Sequence, residues 1–102
     1  NMIHRDDLVD AIITVLAKGK PGRVYNVSDS AACTEREFYA WLSVRLGRPL
    51  PPVADAAEVT RRGRFATNKR VVADRLRNEL GWTPRHSDFR SGYEQELAAL
   101  GL

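Results

Sequence analysis

Cysteine is nearly absent. Cys33 stands alone in 102 residues, so neither an intrachain disulfide nor a cysteine-based zinc site can form. A lone thiol suits a reducing compartment, and the expectation is a cytoplasmic protein. Long apolar runs are missing too: no stretch approaches the roughly 20 residues that a helix needs to cross a bilayer. No basic region followed by an apolar segment opens the sequence, so no secretory leader is expected among these residues. There is no internal repeat and no low-complexity tract, which removes solenoids and biased linkers.

What is present is ordinary for a globular chain. The sequence is 43% hydrophobic and 28% charged, with a mild net charge of +3. A chain of this size is one small domain at most and buries roughly 60–70% of its unfolded surface. The basic excess is uneven, with Arg61, Arg62, Arg64, Lys69 and Arg70 close together.

The hydrophobic pattern predicts four helices and a strand. Asp6 is a candidate N-cap, with Asp7 adding negative charge to the first turn. Leu8, Ala11, Ile12, Val15 and Leu16 then share one helical face, broadened by Ile13. Gly19 supplies a left-handed stop and Pro21 blocks continuation, giving a helix over 6–18. "RVYNVSD" is β-branched and aromatic, and predicts a strand over 23–28. Thr34 and Glu37 form a capping box for a helix over 34–47, whose face carries Phe38, Trp41, Leu42 and Leu46. "RPLPPVADAA" is a proline-rich connector without helical period. The basic stretch "TRRGRFATNKR" leads into a helix over 70–80 with the face Val72, Leu76 and Leu80. Pro84 keeps "WTPRHSDF" a loop, and Ser91 or Asp88 caps a last helix over 91–100.

One strand, or two if "NMIH" is also extended, cannot make an independent sheet. "NMIH", helix, "RVYNV" is a strand–helix–strand unit like the last crossover of a larger doubly wound sheet. The first helix is therefore expected to pack against chain encoded elsewhere.

The strings "IHRDDLVDAI", "GRVYNVSDS", "TEREFYAWLSVRLG" and "NKRVVADRLRNELGWTPR" follow one another in this order. Together they resemble the closing third of extended or atypical short-chain dehydrogenase/reductase proteins, the NAD-dependent epimerase/dehydratase family. The resemblance covers essentially the whole chain. It implies an α/β class: residues 1–102 as the C-terminal, substrate-side fragment of a doubly wound Rossmann-like fold. The fragment is mostly helical, with about four helices and one or two short parallel-type strands. The upstream Rossmann portion of the same protein would be its partner, with a homodimer as another way to cover the exposed face.

The resemblance also implies NAD or NADP in the full-length parent, but not in this chain. The family's cofactor site is a glycine-rich turn after the first strand, where helix N-terminal N–H groups meet the pyrophosphate. Glycines 19, 22, 47, 63, 81, 92 and 101 never form that cluster. The family's catalytic pair is a tyrosine with a lysine four residues on. At that spacing Tyr25 meets Asp29, Tyr39 meets Ser43 and Tyr93 meets Leu97, so no catalytic residue is expected here. The parent would be an NAD(P)-dependent oxidoreductase or epimerase acting on a small molecule, sugar-linked in some members. This segment alone is not self-sufficient.

Four residues are candidates for substrate binding. Asn1 and His4 lie where a strand's carboxyl end would face a pocket. Arg62 and Arg64 lie where sugar-nucleotide members place an arginine that holds the substrate diphosphate by forked hydrogen bonds. "RRGRF" lacks the Arg-Pro-Gly-Asp context of those members. Against the pocket role stands a structural one, in which His4 ends a strand, Asp6 and Asp7 cap a helix and the arginines are solvated. Trp41 and Trp82 read as packing residues. His86 has no metal-ligand spacing and reads as surface. Cys33 has no neighbouring histidine to activate it. Readings from other classes are a small basic nucleic-acid-binding domain, which lacks a helix-turn-helix or a stacking platform, and a truncated structural or regulatory remnant. No membrane partner is expected, and no nucleic acid in the leading reading.

Overall fold

The computed structural model describes residues 1–52, 55–63 and 69–102. The described residues form five helices: α1 (Arg5–Lys18), α2 (Glu35–Leu46), α3 (Ala56–Arg62), α4 (Asp74–Leu80) and α5 (Phe89–Ala99). None is long and apolar enough to cross a membrane. The chain divides into two compact units, one of residues 1–32 and 70–102 and a second of residues 33–69.

The first unit holds the core. Ala11 of α1, Leu76 and Leu80 of α4, and Ala73 and Trp82 beside α4 are buried together. Ile3, Val15, Tyr25 and Val27 pack around them. Trp82 thus takes the packing role its sequence context suggested.

The cap of α1 differs from expectation. His4, not Asp6, is the N-cap, and its Nδ1 accepts the Asp6 backbone N–H at 3.1 Å. Asp7 is more than a favourable charge in the first turn. It is 1% exposed, and its two carboxylate oxygens accept the backbone N–H groups of Arg85 (2.8 Å) and His86 (2.9 Å). One carboxylate therefore satisfies two orphan donors of the 81–88 loop, which would otherwise be costly to bury. Gly19 ends α1 in an extended conformation (φ −64°, ψ 149°), not in the expected left-handed one. Glycine is still required there, because a Cβ would meet the Val15 carbonyl oxygen at 2.5 Å.

The inward face of α1 is Asp7 and Ala11. Leu8, Val9, Ile12, Ile13 and Leu16 form an outward stripe, 38% to 82% exposed. The predicted face mixed residues from both sides, because this helix is apolar around much of its circumference and periodicity cannot choose the packed side. Five large apolar side chains are thus left exposed along one helix of the first unit.

The expected strands are not seen among the described residues, and five helices stand where about four were expected. Residues 23–29 have no regular structure. They meet the opening segment where the Asp29 N–H donates to the Met2 carbonyl at 2.9 Å, short of the repeated pairing that defines a ladder. β-propensity supplied the side chains for a strand, but not the neighbour.

The third predicted helix begins at Asp74, not at residue 70. Upstream of it, Val71 gives its N–H to Asn1 Oδ1 (2.6 Å) and accepts the Ser28 hydroxyl at its carbonyl (2.8 Å). Val72, expected on the buried face, is 50% exposed. Helix α5 starts at Phe89 because Asp88 is the cap, accepting from the Arg90 N–H at 2.7 Å.

The second unit contains α2 and α3. The Thr34–Glu37 capping box is complete: Thr34 Oγ1 accepts the Glu37 N–H at 3.1 Å, and Glu37 Oε2 accepts the Thr34 N–H at 3.4 Å. Helix α3 lies partly in the stretch read as a proline-rich connector. Asp55 caps it by accepting the Glu58 N–H at 2.8 Å. The prolines of "RPLPPV" drew attention away from that local signal.

Candidate functional site

In the first unit, the opening segment, Asp29, Asp88 and the stretch of α5 from Phe89 to Glu96 line a cleft of about 550 Å³. Two of the four predicted binding residues, Asn1 and His4, are on its wall. The side-chain oxygen of Asn1 is engaged with the Val71 backbone.

His4 is the joint of this cleft. Its side chain is 6% exposed, and Nε2 lies 2.9 Å from Glu96 Oε1 on α5. With Nδ1 accepting from Asp6, the proton belongs on Nε2, which donates to Glu96. The ring packs against His86, with centroids 4.3 Å apart and the planes tilted by 44°. His86 is thus half-buried and not a surface residue, and its Nδ1 lies 2.5 Å from the Ser91 hydroxyl. On α5 the His4 ring presses on Gly92, where a Cβ would come within 2.8 Å of His4 Cδ2. Only glycine lets the imidazole lie this close to the helix.

Carboxylates dominate the polar lining. Asp29 is 4% exposed, and burial pushes its carboxyl above the usual carboxylate range. The hydrogen bond from the Ala31 N–H at 2.9 Å opposes that shift, and the charge of Asp88 adds to it. Ser30, the next residue, holds a left-handed conformation at φ 62°, rare for a non-glycine residue. Glu96 receives His4 and also Arg5, whose Nη2 is 3.4 Å away. A cleft of this kind accepts hydrogen bonds from hydroxyl or amine groups.

The other two predicted residues are not brought to this cleft. Arg62 lines a cleft of about 600 Å³ within the second unit, walled by Tyr39, Leu50, Pro51 and Val59. There it pairs with Glu35 at 3.3 Å, and Arg36 is on the same wall. Arg64 lies outside the described residues. The sequence reading missed Asp29, Glu96 and Tyr93 as cleft residues, and took Asp88 only as a cap. His4 and Glu96 are separated by 92 positions, and nothing local announces their pairing.

No protein-family model matches the chain. It is 30% identical to a dTDP-glucose 4,6-dehydratase of Mycolicibacterium smegmatis, over 88% of this chain and 26% of that protein. With the dTDP-glucose 4,6-dehydratase of Xanthomonas campestris pv. campestris the identity is 34%, over 89% of this chain and 27% of the relative. A 3-diazoavenalumate denitrifying reductase of a Streptomyces species is 29% identical, over 94% and 33%. The chain resembles one portion of each. It spans a third or less of the length of these curated relatives. Among solved structures, a conserved protein of unknown function from Silicibacter pomeroyi DSS superposes with a TM-score of 0.81 at 32% identity. That match covers 98% of this chain and 38% of the other.

Among the described residues no glycine-rich turn joins a strand to a helix, and the cleft of the first unit sets Arg5 and His4 beside its carboxylates.

Proposed function

We propose that this chain is the C-terminal, substrate-side portion of a cytoplasmic NAD(P)-dependent epimerase/dehydratase- or reductase-type protein. The observation that carries the reading is a pattern of coverage. Two dehydratases and a reductase match nearly all of this chain with about a third or less of their own length. The remaining portion of such a parent would hold NAD or NADP and the groups that exchange protons. This chain would contribute walls that hold a small-molecule substrate: the Asn1–His4 cleft in one unit and the Arg62 cleft, with Arg64 near it in sequence, in the other. The outward stripe of α1, from Leu8 to Leu16, is where the Rossmann portion of the parent would dock, or a second copy of the chain in its absence.

Calorimetry of the 102-residue chain with NADH and with NADPH tests the division of labour. No heat of binding is expected, and micromolar affinity for either would sink the reading. Sedimentation tests the docking face. The wild-type chain should self-associate or bind a hydrophobic dye, and Ile12→Glu with Leu16→Glu should abolish both without unfolding the helices. A clean monomer that ignores the dye would contradict the docking role of α1.

A further inference from the structure

We propose that His4 is a proton-operated cap: acidification below neutrality releases the start of α1 and, with it, one wall of the first unit's cleft. This inference stands on the geometry around one imidazole, and not on the reading of the parent's activity.

Helix N-caps are commonly oxygen acceptors from Ser, Thr, Asp or Asn, whose ability to accept does not change near neutral pH. Here the acceptor is a ring nitrogen. His4 Nδ1 takes the Asp6 N–H at 3.1 Å while Nε2 meets Glu96 Oε1 at 2.9 Å. Only the neutral ring with its proton on Nε2 makes both bonds. Imidazole is also the side chain whose ordinary titration falls between about pH 5 and 8. A second proton must go on Nδ1, where it turns the acceptor into a donor facing the Asp6 N–H. The cap bond is then lost, and a positive charge sits at the positive end of a helix dipole.

The groups facing the ring decide where it goes next. On its own segment are the Asp6 carboxylate, with Oδ2 3.8 Å from Nδ1, and Arg5, which shares Glu96. From α5 come the Glu96 carboxylate and the backbone of Gly92. From the 81–88 loop comes His86, its ring centroid 4.3 Å away, which repels the charged ring when it is itself protonated. The new Nδ1–H finds its acceptor at Asp6 Oδ2, so the ring swings from the Asp6 backbone toward the Asp6 side chain. Nε2 stays paired with Glu96 on α5, so the swing is taken up by the opening segment, which lines the cleft.

The test follows the His4 ring and the Asp6 amide together. Ring 15N shifts report the charge on His4, and hydrogen exchange, corrected for intrinsic rates, reports Asp6 protection between pH 7.5 and 5. In the wild-type chain Asp6 protection should fall roughly five-fold, the scale of one lost cap, in step with the His4 titration. His4→Asn, whose amide oxygen caps at every pH, should hold Asp6 protection constant, and His86→Asn should retain the wild-type response. The proposal is overturned if His4 becomes charged while Asp6 stays protected, or if His4 does not titrate in this range. It is equally overturned if His4→Asn loses protection as the wild type does. The wild-type measurement decides alone should either variant fail to fold.

Discussion

The two units are built from helices of similar local quality and differ in what those helices cover. Every buried residue among those described belongs to the first unit, while neither α2 nor α3 of the second buries any. Yet the clearest local signal in the chain, the Thr34–Glu37 capping box, is in the second unit. In the first, α4 forms with no side-chain cap bond at all, because Leu76 and Leu80 anchor it in the core. Local signals place a helix along the chain. Burial gives it a definite position in space.

The sharpest way to break this contrast is to truncate one apolar side chain to alanine in each unit. Leu76 is 0% exposed, and Leu76→Ala leaves a cavity expected to cost about 2–5 kcal/mol. Val44 on α2 is 84% exposed, and Val44→Ala should stay within about 0.5 kcal/mol of wild type. Urea denaturation followed by circular dichroism measures both. Equal losses would mean that α2 has a burying contact the described residues do not show.

Next in size is Asp7→Asn. The amide keeps one acceptor oxygen but presents an NH₂ group to the second of the two backbone donors, Arg85 N–H and His86 N–H. One unsatisfied buried donor costs about 1–3 kcal/mol. Denaturation midpoints give the loss, and amide exchange at Arg85 and His86 shows whether the 81–88 loop is what loosens. An unchanged midpoint would mean that water reaches the loop.

Asp7 also shows how much was legible in the sequence. Its helix, its sign and its place in the first turn could be read locally. Its partners could not, because they lie 78 and 79 residues away. The same division runs through the candidate site. His4 and Asn1 could be picked from their position before a helix, whereas Glu96 and Asp29 join them only through folding. The strand expected at 23–28 failed for the same reason, since strand character depends on a neighbour. Helix α3 failed for the opposite one: its Asp55–Glu58 cap was local and readable, but was hidden among prolines.

In the second unit the corresponding change is Thr34→Ala, which removes one side of the capping box. A loss of about 1 kcal/mol is expected, confined to α2. Thr34→Ser should recover most of it, because the hydroxyl is what accepts the Glu37 N–H. Exchange of the Glu37 amide separates a fraying helix start from a general loss of stability.

The smallest effect belongs to Asp29, and its sign is the informative part. Burial pushes this carboxyl above the ordinary range, the Ala31 N–H bond opposing and the Asp88 charge assisting. The folded chain therefore keeps the proton at pH values where the unfolded chain has released it. The stabilising contribution is complete below about pH 3.9, the ordinary aspartate value, and is lost as pH rises through the folded-state value. Asparagine at this position cannot ionise, yet it still offers an oxygen to the Ala31 N–H, as turns of this kind accept either residue. Asp29→Asn should thus match the wild type in acid and exceed it near neutrality. Melting temperatures of both proteins across pH 3.5 to 7.5 test this directly. Curves that meet in acid and part toward neutral pH support burial as the governing cause. Curves that part in acid, with the wild type ahead at neutral pH, would show that the charged carboxylate is held by a donor stronger than the Ala31 N–H.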